Sequence, residues 1–222
     1  MKNFAFLAVF TAVVMFLSSC GPKKVKQRFV DTNYATVTLE GTNCYGVVNL
    51  INDQEIIPQR YSSINYYVSG YFLAEDSSGV QLFDTDGQLI IPSQDRIKNK
   101  GDYFEFQRGS KKGFYFIKTQ TKISGEYETL EVDQAGNILF MQDGKAGILN
   151  QQGKVVIPGE YTYLIYDGIN YNVAKNKTDK HPIVGKNGKA NWSLAEAYVF
   201  DKEGKQIRKL TAAQAKKIFE GK

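Results

Sequence analysis

The hydrophobic positions of this sequence fall in short runs that turn residues separate. Two such runs are Val-Gln-Leu-Phe at 80–83 and Val-Val-Ile at 155–157. Asp-Thr-Asp-Gly at 84–87 and Asn-Gln-Gln-Gly at 150–153 lie beside them. Glycine adopts positive φ at little cost, and Asp or Asn bonds to nearby backbone. Each turn, together with the apolar runs on its two sides, therefore predicts a β-hairpin.

The hairpins recur with a period of about 34 residues, which is typical of repeat architectures. Glycines near the start of each hairpin follow this period: Gly46, Gly79, Gly113 and Gly147. A proline after the second run, as at Pro58, is expected to end that strand because it has no N–H to donate. We predict an all-β fold of about five three-stranded units, arranged as a propeller-like ring or as an open stack of β-repeats.

The most regular unit resembles a known repeat. Residues 146–161 have the sequence Ala-Gly-Ile-Leu-Asn-Gln-Gln-Gly-Lys-Val-Val-Ile-Pro-Gly-Glu-Tyr. This is similar to the WG-containing β-repeat, Trp-Gly-x-x-Asp-x-x-Gly-Lys-x-Val-Ile-Pro-x-x-Tyr, except at the tryptophan. The resemblance spans about residues 44–210, although no unit has the family's tryptophan and Trp192 lies outside the register. It implies a repeat scaffold of the bacterial envelope, with no shared catalytic site.

The repeat loses its register near the C-terminus. Lysines and an Asn-Gly turn signal interrupt the template between residues 175 and 198, which predicts an enlarged loop before the last unit. Residues 211–222 favour a helix, since Thr211 and Gln214 have the spacing of a capping box. We expect this helix to cover one end of the repeat domain, residues 34–210.

The N-terminus has the pattern of a lipoprotein leader. An uncharged run at 4–17 follows a cationic start and is shorter than the roughly 20 residues of a membrane span. Leu-Ser-Ser-Cys at 17–20 resembles the bacterial lipobox. This resemblance implies a signal peptide, residues 1–19, that is cleaved after Ser19, and a lipid on Cys20.

The distribution of charge along the chain bears on whether the partner is a nucleic acid. The chain has 28 Lys and Arg against 23 Asp and Glu, a formal charge of +5, but the signs are mixed and do not indicate nucleic-acid binding. Residues 20–33 hold four basic side chains and few apolar ones, which predicts a solvated tether. No acidic stretch follows Cys20, which favours an outer-membrane lipoprotein that faces the periplasm over one on the cell surface.

Little in the sequence predicts catalysis. If Cys20 carries lipid, Cys44 has no disulfide partner. One histidine, His181, and one spare cysteine are too few for a common zinc site. A serine or cysteine triad needs a histidine, but His181 precedes Pro182 in a predicted loop and is remote in sequence from Cys44. Residues 84–87 resemble the start of a calcium loop but lack the later carboxylate. We therefore predict no catalytic residue, no metal and no cofactor.

Aromatic side chains are the remaining candidates for ligand contact: Tyr66, Tyr67, Tyr71 and Trp192. Aromatic rings with a polar tip suit a sugar or a protein partner, and they equally suit half-buried strands. We expect a lipid-anchored, non-enzymatic binding or scaffold module for a protein or glycan. The alternatives are a carbohydrate-acting envelope hydrolase with paired carboxylates and a structural spacer without a ligand.

Overall fold

The protein is built almost entirely of β-strands. A computed structural model describes residues 23–29, 32–67, 70–185 and 188–221. The predicted signal peptide and lipidated Cys20 lie outside these ranges. The described residues form twenty strands in five four-stranded antiparallel sheets, followed by one short helix. The predicted all-β fold of about five repeated units is confirmed.

Each sheet is a meander of four strands that follow one another in the chain. Sheets 1 and 2 contain β1 (Lys24–Arg28), β2 (Tyr34–Leu39), β3 (Tyr45–Asn49), β4 (Glu55–Tyr61), β5 (Ser63–Tyr67), β6 (Tyr71–Asp76), β7 (Gly79–Asp84) and β8 (Leu89–Gln94). Sheets 3 and 4 contain β9 (Arg96–Asn99), β10 (Tyr103–Arg108), β11 (Lys111–Phe116), β12 (Thr121–Tyr127), β13 (Thr129–Val132), β14 (Ile138–Gln142), β15 (Lys145–Leu149) and β16 (Val155–Tyr161). Sheet 5 contains β17 (Tyr163–Tyr166), β18 (Tyr171–Asn176), β19 (Ala195–Phe200) and β20 (Gln206–Lys209).

The units have four strands rather than the predicted three, because each sheet begins with a short strand that the hydrophobic pattern does not reveal. One residue separates the last strand of a sheet from the first strand of the next. Ser62 is such a residue, and its amide donates to the Glu75 carbonyl in β6, 2.8 Å away. The chain thus passes into the next sheet without the glycine or proline that would mark a boundary.

The repeat prolines Pro58, Pro92 and Pro158 lie inside strands instead of ending them. Pro58 is within β4, which continues to Tyr61. The pairing register shifts around the proline, since Val47 lies opposite Ile57 and Tyr45 lies opposite Tyr61. β4 is the outermost strand of its sheet, where a bulge accommodates a residue that cannot donate a backbone hydrogen bond. The same arrangement recurs at Pro92 in β8.

A large side chain faces a small one where the second and third strands of a sheet pair. Phe106 lies opposite Gly113, and a Cβ at Gly113 would be 2.2 Å from the phenyl Cζ. In sheet 2 the order of sizes is reversed, since Ala74 lies opposite Gln81. Gln81, and not the predicted Gly79, therefore occupies the position of the repeat glycine in that sheet.

The sheets pack face to face in chain order, and hydrophobic clusters fill the spaces between them. Ile57 and Phe72, both fully buried, join sheets 1 and 2. Similar clusters join sheets 2 and 3, 3 and 4, and 4 and 5. Within the described ranges no hydrophobic cluster joins sheet 5 to sheet 1.

The C-terminal helix covers the last sheet. α1 (Ala212–Glu220) begins after the capping box that the sequence predicts, in which Thr211 and Gln214 bond reciprocally. Ala215, 1% exposed, packs with Ala197 and Val199 of β19. The helix lies where a further sheet would otherwise pack, so it closes one end of the stack.

The structure places two boundaries differently from the sequence. β1 lies within the predicted tether, residues 20–33, because its backbone pairs with β2 although all five of its side chains are exposed. The predicted insertion, 175–198, lies inside the fifth sheet between β18 and β19 rather than before the last unit. The backbone pairing of strands with polar side chains leaves no hydrophobic pattern in the sequence.

Candidate functional site

The predicted aromatic contacts do not converge on one site. Tyr66 packs in the cluster between sheets 1 and 2, with its ring centroid 5.1 Å from that of Phe72. Tyr67 meets Phe104 edge to face at 5.8 Å, in the next cluster. Both tyrosines are partly exposed. Their rings fill the stack, which leaves only part of each surface for a ligand.

Trp192 is far from these tyrosines in the fold and lies under the C-terminal helix. Its indole is 6% exposed and stacks on Phe219, with ring centroids 5.2 Å apart and an interplanar angle of 11°. Its Nε1 donates to the Glu220 carboxylate at 2.7 Å. This packing fastens α1 to the fifth sheet and leaves little of the ring for a partner.

Tyr71 lies at a polar cleft between sheets 2 and 3. Its hydroxyl is 3.1 Å from that of Tyr115, and both residues are buried, 6% and 5% exposed. Burial raises the pKa of Tyr115, and its hydrogen bond with Tyr71 raises it further. The Tyr115 hydroxyl therefore keeps its proton at neutral pH. Either oxygen can be the donor of this bond, and the proton of the accepting hydroxyl is not used in it.

Asp84 holds a carboxylate at the rim of this cleft. Its Oδ1 accepts the backbone amides of Asp86 and Gln88, at 3.0 and 2.8 Å, which fixes the turn between β7 and β8. No hydrogen bond joins its Oδ2 to a described residue. Asp201 makes the same turn in sheet 5, where its Oδ1 accepts the amides of Glu203 and Lys205. The turn thus needs one oxygen, and the other is available to a ligand.

The cleft lies where sheet 3 lacks the usual turn glycine. In sheet 2, a Cβ at Gly87 would be 2.3 Å from the Ile56 carbonyl oxygen of sheet 1. In sheet 5, a Cβ at Gly204 would be 2.2 Å from the Val156 carbonyl oxygen of sheet 4. These turns lie directly on the preceding sheet. The corresponding turn of sheet 3 has no glycine, and Gln120 there has a φ of 52°.

Gln120 and Lys122 instead form one wall of a cleft of about 340 Å³. Its lining residues come from both sheets: Tyr71, Asp84, Gln88, Leu89, Ile90, Tyr115, Gln120 and Lys122. Hydroxyl, amide, ammonium and carboxylate groups face one space beside an apolar wall. That space is at the small end of the range for ligand sites and offers both donors and acceptors.

The cleft's lining set contains one carboxylate, whereas glycoside hydrolysis commonly uses two. Asp84 alone therefore offers no acid–base pair there. Within the described residues, no three His, Cys, Asp or Glu side chains are placed to hold a metal ion. The arrangement is suited to binding a polar molecule by hydrogen bonds.

A related cleft between sheets 4 and 5 has its polar groups engaged within the protein. Asn137 and Asn150 line it, with Lys202 on the opposite sheet. The Tyr171 hydroxyl donates to Asp133 and accepts from the Asn137 amide. Burial raises the pKa of Tyr171, and its bond to Asp133 raises it further. The cleft between sheets 2 and 3 is distinguished by polar atoms without such partners.

Sequence reasoning identified Tyr71 but missed the rest of this cleft. Asp84 was assigned to the turn alone, and Tyr115, Gln120 and Lys122 were not singled out. A signal was present, since the third unit has Ile-Lys-Thr-Gln at 117–120 where its neighbours have Asp-x-x-Gly or Asn-x-x-Gly. A turn that departs from the repeat marks the place where the sheets separate.

No protein-family model matches the sequence, and no curated protein does either. Among solved structures, Hsv2 from Kluyveromyces lactis is 8% identical over 79% of this chain, with a TM-score of 0.30. A eukaryotic initiation factor is 12% identical over 85% of this chain, and the N-terminal domain of Nup159 is 8% identical over 79%, with TM-scores of 0.33 and 0.26.

This chain spans 60%, 54% and 58% of the lengths of those three chains, respectively. At these TM-scores the likenesses carry no argument about this protein, and its fold class rests on its own sheets. The α-helix in the described part of the chain has nine residues, and no helix there has the length and apolarity needed to span a membrane.

Proposed function

We propose that this protein is a lipid-anchored binding module of the bacterial cell envelope, and that the cleft between sheets 2 and 3 binds a glycan. The observation that supports the ligand is the set of unpartnered polar groups around Tyr71 and Tyr115. Sugars present closely spaced hydroxyls that both donate and accept, as do the phenol, amide and carboxylate groups of the cleft. Leu89, 46% exposed, and Ile90 supply an apolar surface for the sugar's C–H groups.

The repeat architecture supports a binding role over catalysis. The strands that flank the cleft pack against hydrophobic cores, so the backbone that shapes the cleft is fixed before a ligand arrives. Preorganisation of this kind reduces the entropic cost of binding. The proposal includes no chemical step, because the cleft offers hydrogen bonds and a single carboxylate.

The envelope location in this proposal is supported by the N-terminal sequence. Leu-Ser-Ser-Cys at 17–20 matches the lipobox pattern, and the diverged WG-like repeats resemble those of envelope proteins. In this proposal Cys20 carries the lipid and the protein faces the periplasm from the outer membrane. Metabolic labelling with a radioactive fatty acid tests the anchor, since a Cys20→Ser protein would then carry no label.

A glycan array tests the ligand. The purified protein is applied beside two variants, Asp84→Asn and Asp201→Asn. Asparagine keeps the Oδ1 acceptor of each turn, as native Asn150 does with the amides of Gln152 and Lys154. Both variants should fold, yet only Asp84→Asn changes the cleft.

Asp84→Asn is expected to weaken saccharide binding about 10-fold, because a hydrogen bond to a charged group is lost. Asp201→Asn should bind as the wild-type protein does. Equal binding by both variants would remove the cleft from the proposal. Binding of no saccharide by the wild-type protein would favour the structural-spacer alternative.

A further inference from the structure

The segment next to the proposed lipid anchor is an edge strand and not a free linker. β1 pairs with β2 over five consecutive residues, from Lys24 opposite Leu39 to Arg28 opposite Ala35. Lys23 is held too, because its carbonyl accepts the amide of Glu40 at 2.9 Å. The folded domain therefore begins within a few residues of Cys20.

The charged side chains of β1 lie on one face of the strand. Side chains alternate between the two faces of a strand, so Lys24, Lys26 and Arg28 share a face and Val25 and Gln27 share the other. All five side chains are exposed. β1 is also an edge strand of sheet 1, at the edge opposite β4. The stack thus presents a row of cations along the edge nearest the N-terminus.

Only part of this charge is neutralised within the protein. Lys26 forms an ion pair with Asp53, and this partner holds the pKa of the Asp53 carboxyl below its usual value. The Arg28 Nε donates to the backbone carbonyl of Thr32, 2.7 Å away, which positions the guanidinium and leaves its charge. Lys24 makes no ion pair within 4 Å among the described residues, although its charge also lowers the pKa of the Asp53 carboxyl.

An exposed apolar side chain lies beside this row. Ile51 is 76% exposed, in the turn between β3 and β4 that also carries Asp53. The ion pair between Asp53 and Lys26 brings this turn and β1 together. Cations beside an exposed aliphatic side chain match a membrane interface, where head groups are anionic and acyl chains lie beneath them.

We propose that β1 and the turn at Ile51 form a second membrane contact, which binds anionic lipid head groups and holds sheet 1 against the bilayer. This inference rests on the proposed lipid anchor for its geometry. Lys24 lies four positions after Cys20, a reach of about 14 Å at most. That reach brings the row of cations to the head groups, whereas a solvated tether would hold the domain well away from them.

The lipid anchor and the basic side chains of β1 complement each other. A single acyl chain gives marginal membrane binding, and basic residues add a contribution that depends on anionic lipid and falls with salt. Each cation near such a surface contributes roughly a 5-fold preference for the bound state. Lys24 and Arg28 together should therefore favour contact by more than about 10-fold, with Lys26 contributing less because Asp53 already pairs with it.

Cys44 provides a position for the test. Its exposed side chain lies in the connection from β2 to β3, and Glu40 of the same connection bonds to Lys23, just before β1. The lipidated protein is labelled at Cys44 with a fluorescent donor and reconstituted into vesicles that carry acceptor-labelled head groups. One set of vesicles is phosphatidylcholine alone, and the other is an equimolar mixture with phosphatidylglycerol.

Energy transfer should be higher in the anionic vesicles and should fall there as salt is added. A Lys24→Gln/Lys26→Gln/Arg28→Gln variant should give the same low transfer in both sets of vesicles. The matched control is Lys202→Gln/Lys205→Gln/Arg208→Gln, which removes three exposed cations near β20 at the other end of the stack and should behave as wild type.

Equal transfer in both sets of vesicles for the wild-type protein would overturn the second contact. An identical loss in the control variant would do so as well, since it would assign the effect to net charge. A protein that does not stay with either set of vesicles would instead contradict the proposed lipid anchor. The two proposals can therefore fail separately.

Discussion

The hydroxyl oxygens of Tyr71 and Tyr115 lie 3.1 Å apart, although the two residues belong to different sheets. This contact joins β6 to β11 at the bottom of the proposed binding cleft. Both hydroxyls are buried, and each depends on the other for a protein partner.

A double-mutant cycle should detect this dependence. Tyr71→Phe or Tyr115→Phe alone should each lower the free energy of unfolding by about 1 kcal/mol, because one buried hydroxyl then loses its partner. The double variant should cost less than the sum, since no hydroxyl is left unpaired. Urea denaturation of the four proteins measures the coupling. Strictly additive values would mean that the two hydroxyls do not interact.

Replacing Gln120 with glycine should stabilise the fold and weaken ligand binding. Its φ of 52° is costly for a residue with a side chain, so Gln120→Gly should stabilise the fold by about 1 kcal/mol. The same change removes an amide from the cleft and should weaken saccharide binding. Asp143→Gly is the matched control, since Asp143 has a φ of 50° and lies outside the cleft. Thermal unfolding and glycan binding of both variants separate the two effects.

Phe106 and Gly113 face each other as a large and a small residue, and exchanging these sizes tests whether each depends on the other. Gly113→Gln should destabilise the protein by about 3 kcal/mol or more, because its Cβ would overlap the Phe106 ring. Adding Phe106→Ala reproduces the Ala74 and Gln81 arrangement of sheet 2 and should recover part of the loss. Chemical denaturation checks both variants. If the double variant were no more stable than Gly113→Gln alone, the side-chain sizes at positions 106 and 113 would not depend on each other.

Alkaline pH should weaken the fold through its buried tyrosines. Burial, together with the bond to Asp133, raises the pKa of Tyr171 above its ordinary value of 10.0. Below about pH 10 the phenol is protonated in both states and its full contribution is present. As the pH rises further, the unfolded chain ionises first and that stability is lost.

The variant Tyr171→Phe isolates this contribution. The wild-type protein should be more stable than the variant at pH 8, and the difference should shrink as the pH rises above about 10. Urea midpoints of both proteins between pH 8 and pH 11.5 measure the difference. If the difference in stability between the two proteins stayed constant from pH 8 to pH 11.5, the raised pKa of Tyr171 would not contribute to alkaline unfolding.

The repeat was predictable from sequence because its turns are local. Asn150 accepts the amides of Gln152 and Lys154, so the turn is encoded by residues that lie next to one another. The capping box of Thr211 and Gln214 is local in the same way and is confirmed. Interactions over a few residues leave a pattern that spacing alone can reveal.

The first strands and the cleft were not predictable in that way. β1 pairs through its backbone and exposes every side chain, so its sequence resembles a linker. Tyr71 and Tyr115 are 44 residues apart, and only the packing of sheet 2 on sheet 3 brings their hydroxyls together. Gln81 takes the place of the repeat glycine because the sheet register, and not the sequence period, sets the equivalence.

Chemical-shift mapping by NMR tests the central claim most directly. The protein is titrated with the saccharide that the array selects, and the amide signals of the described residues are followed. The account predicts changes centred on Asp84, Gln120 and Lys122, with the equivalent turn at Asn150 unaffected. Changes centred on another surface, with these three signals unmoved, would contradict a binding site between sheets 2 and 3.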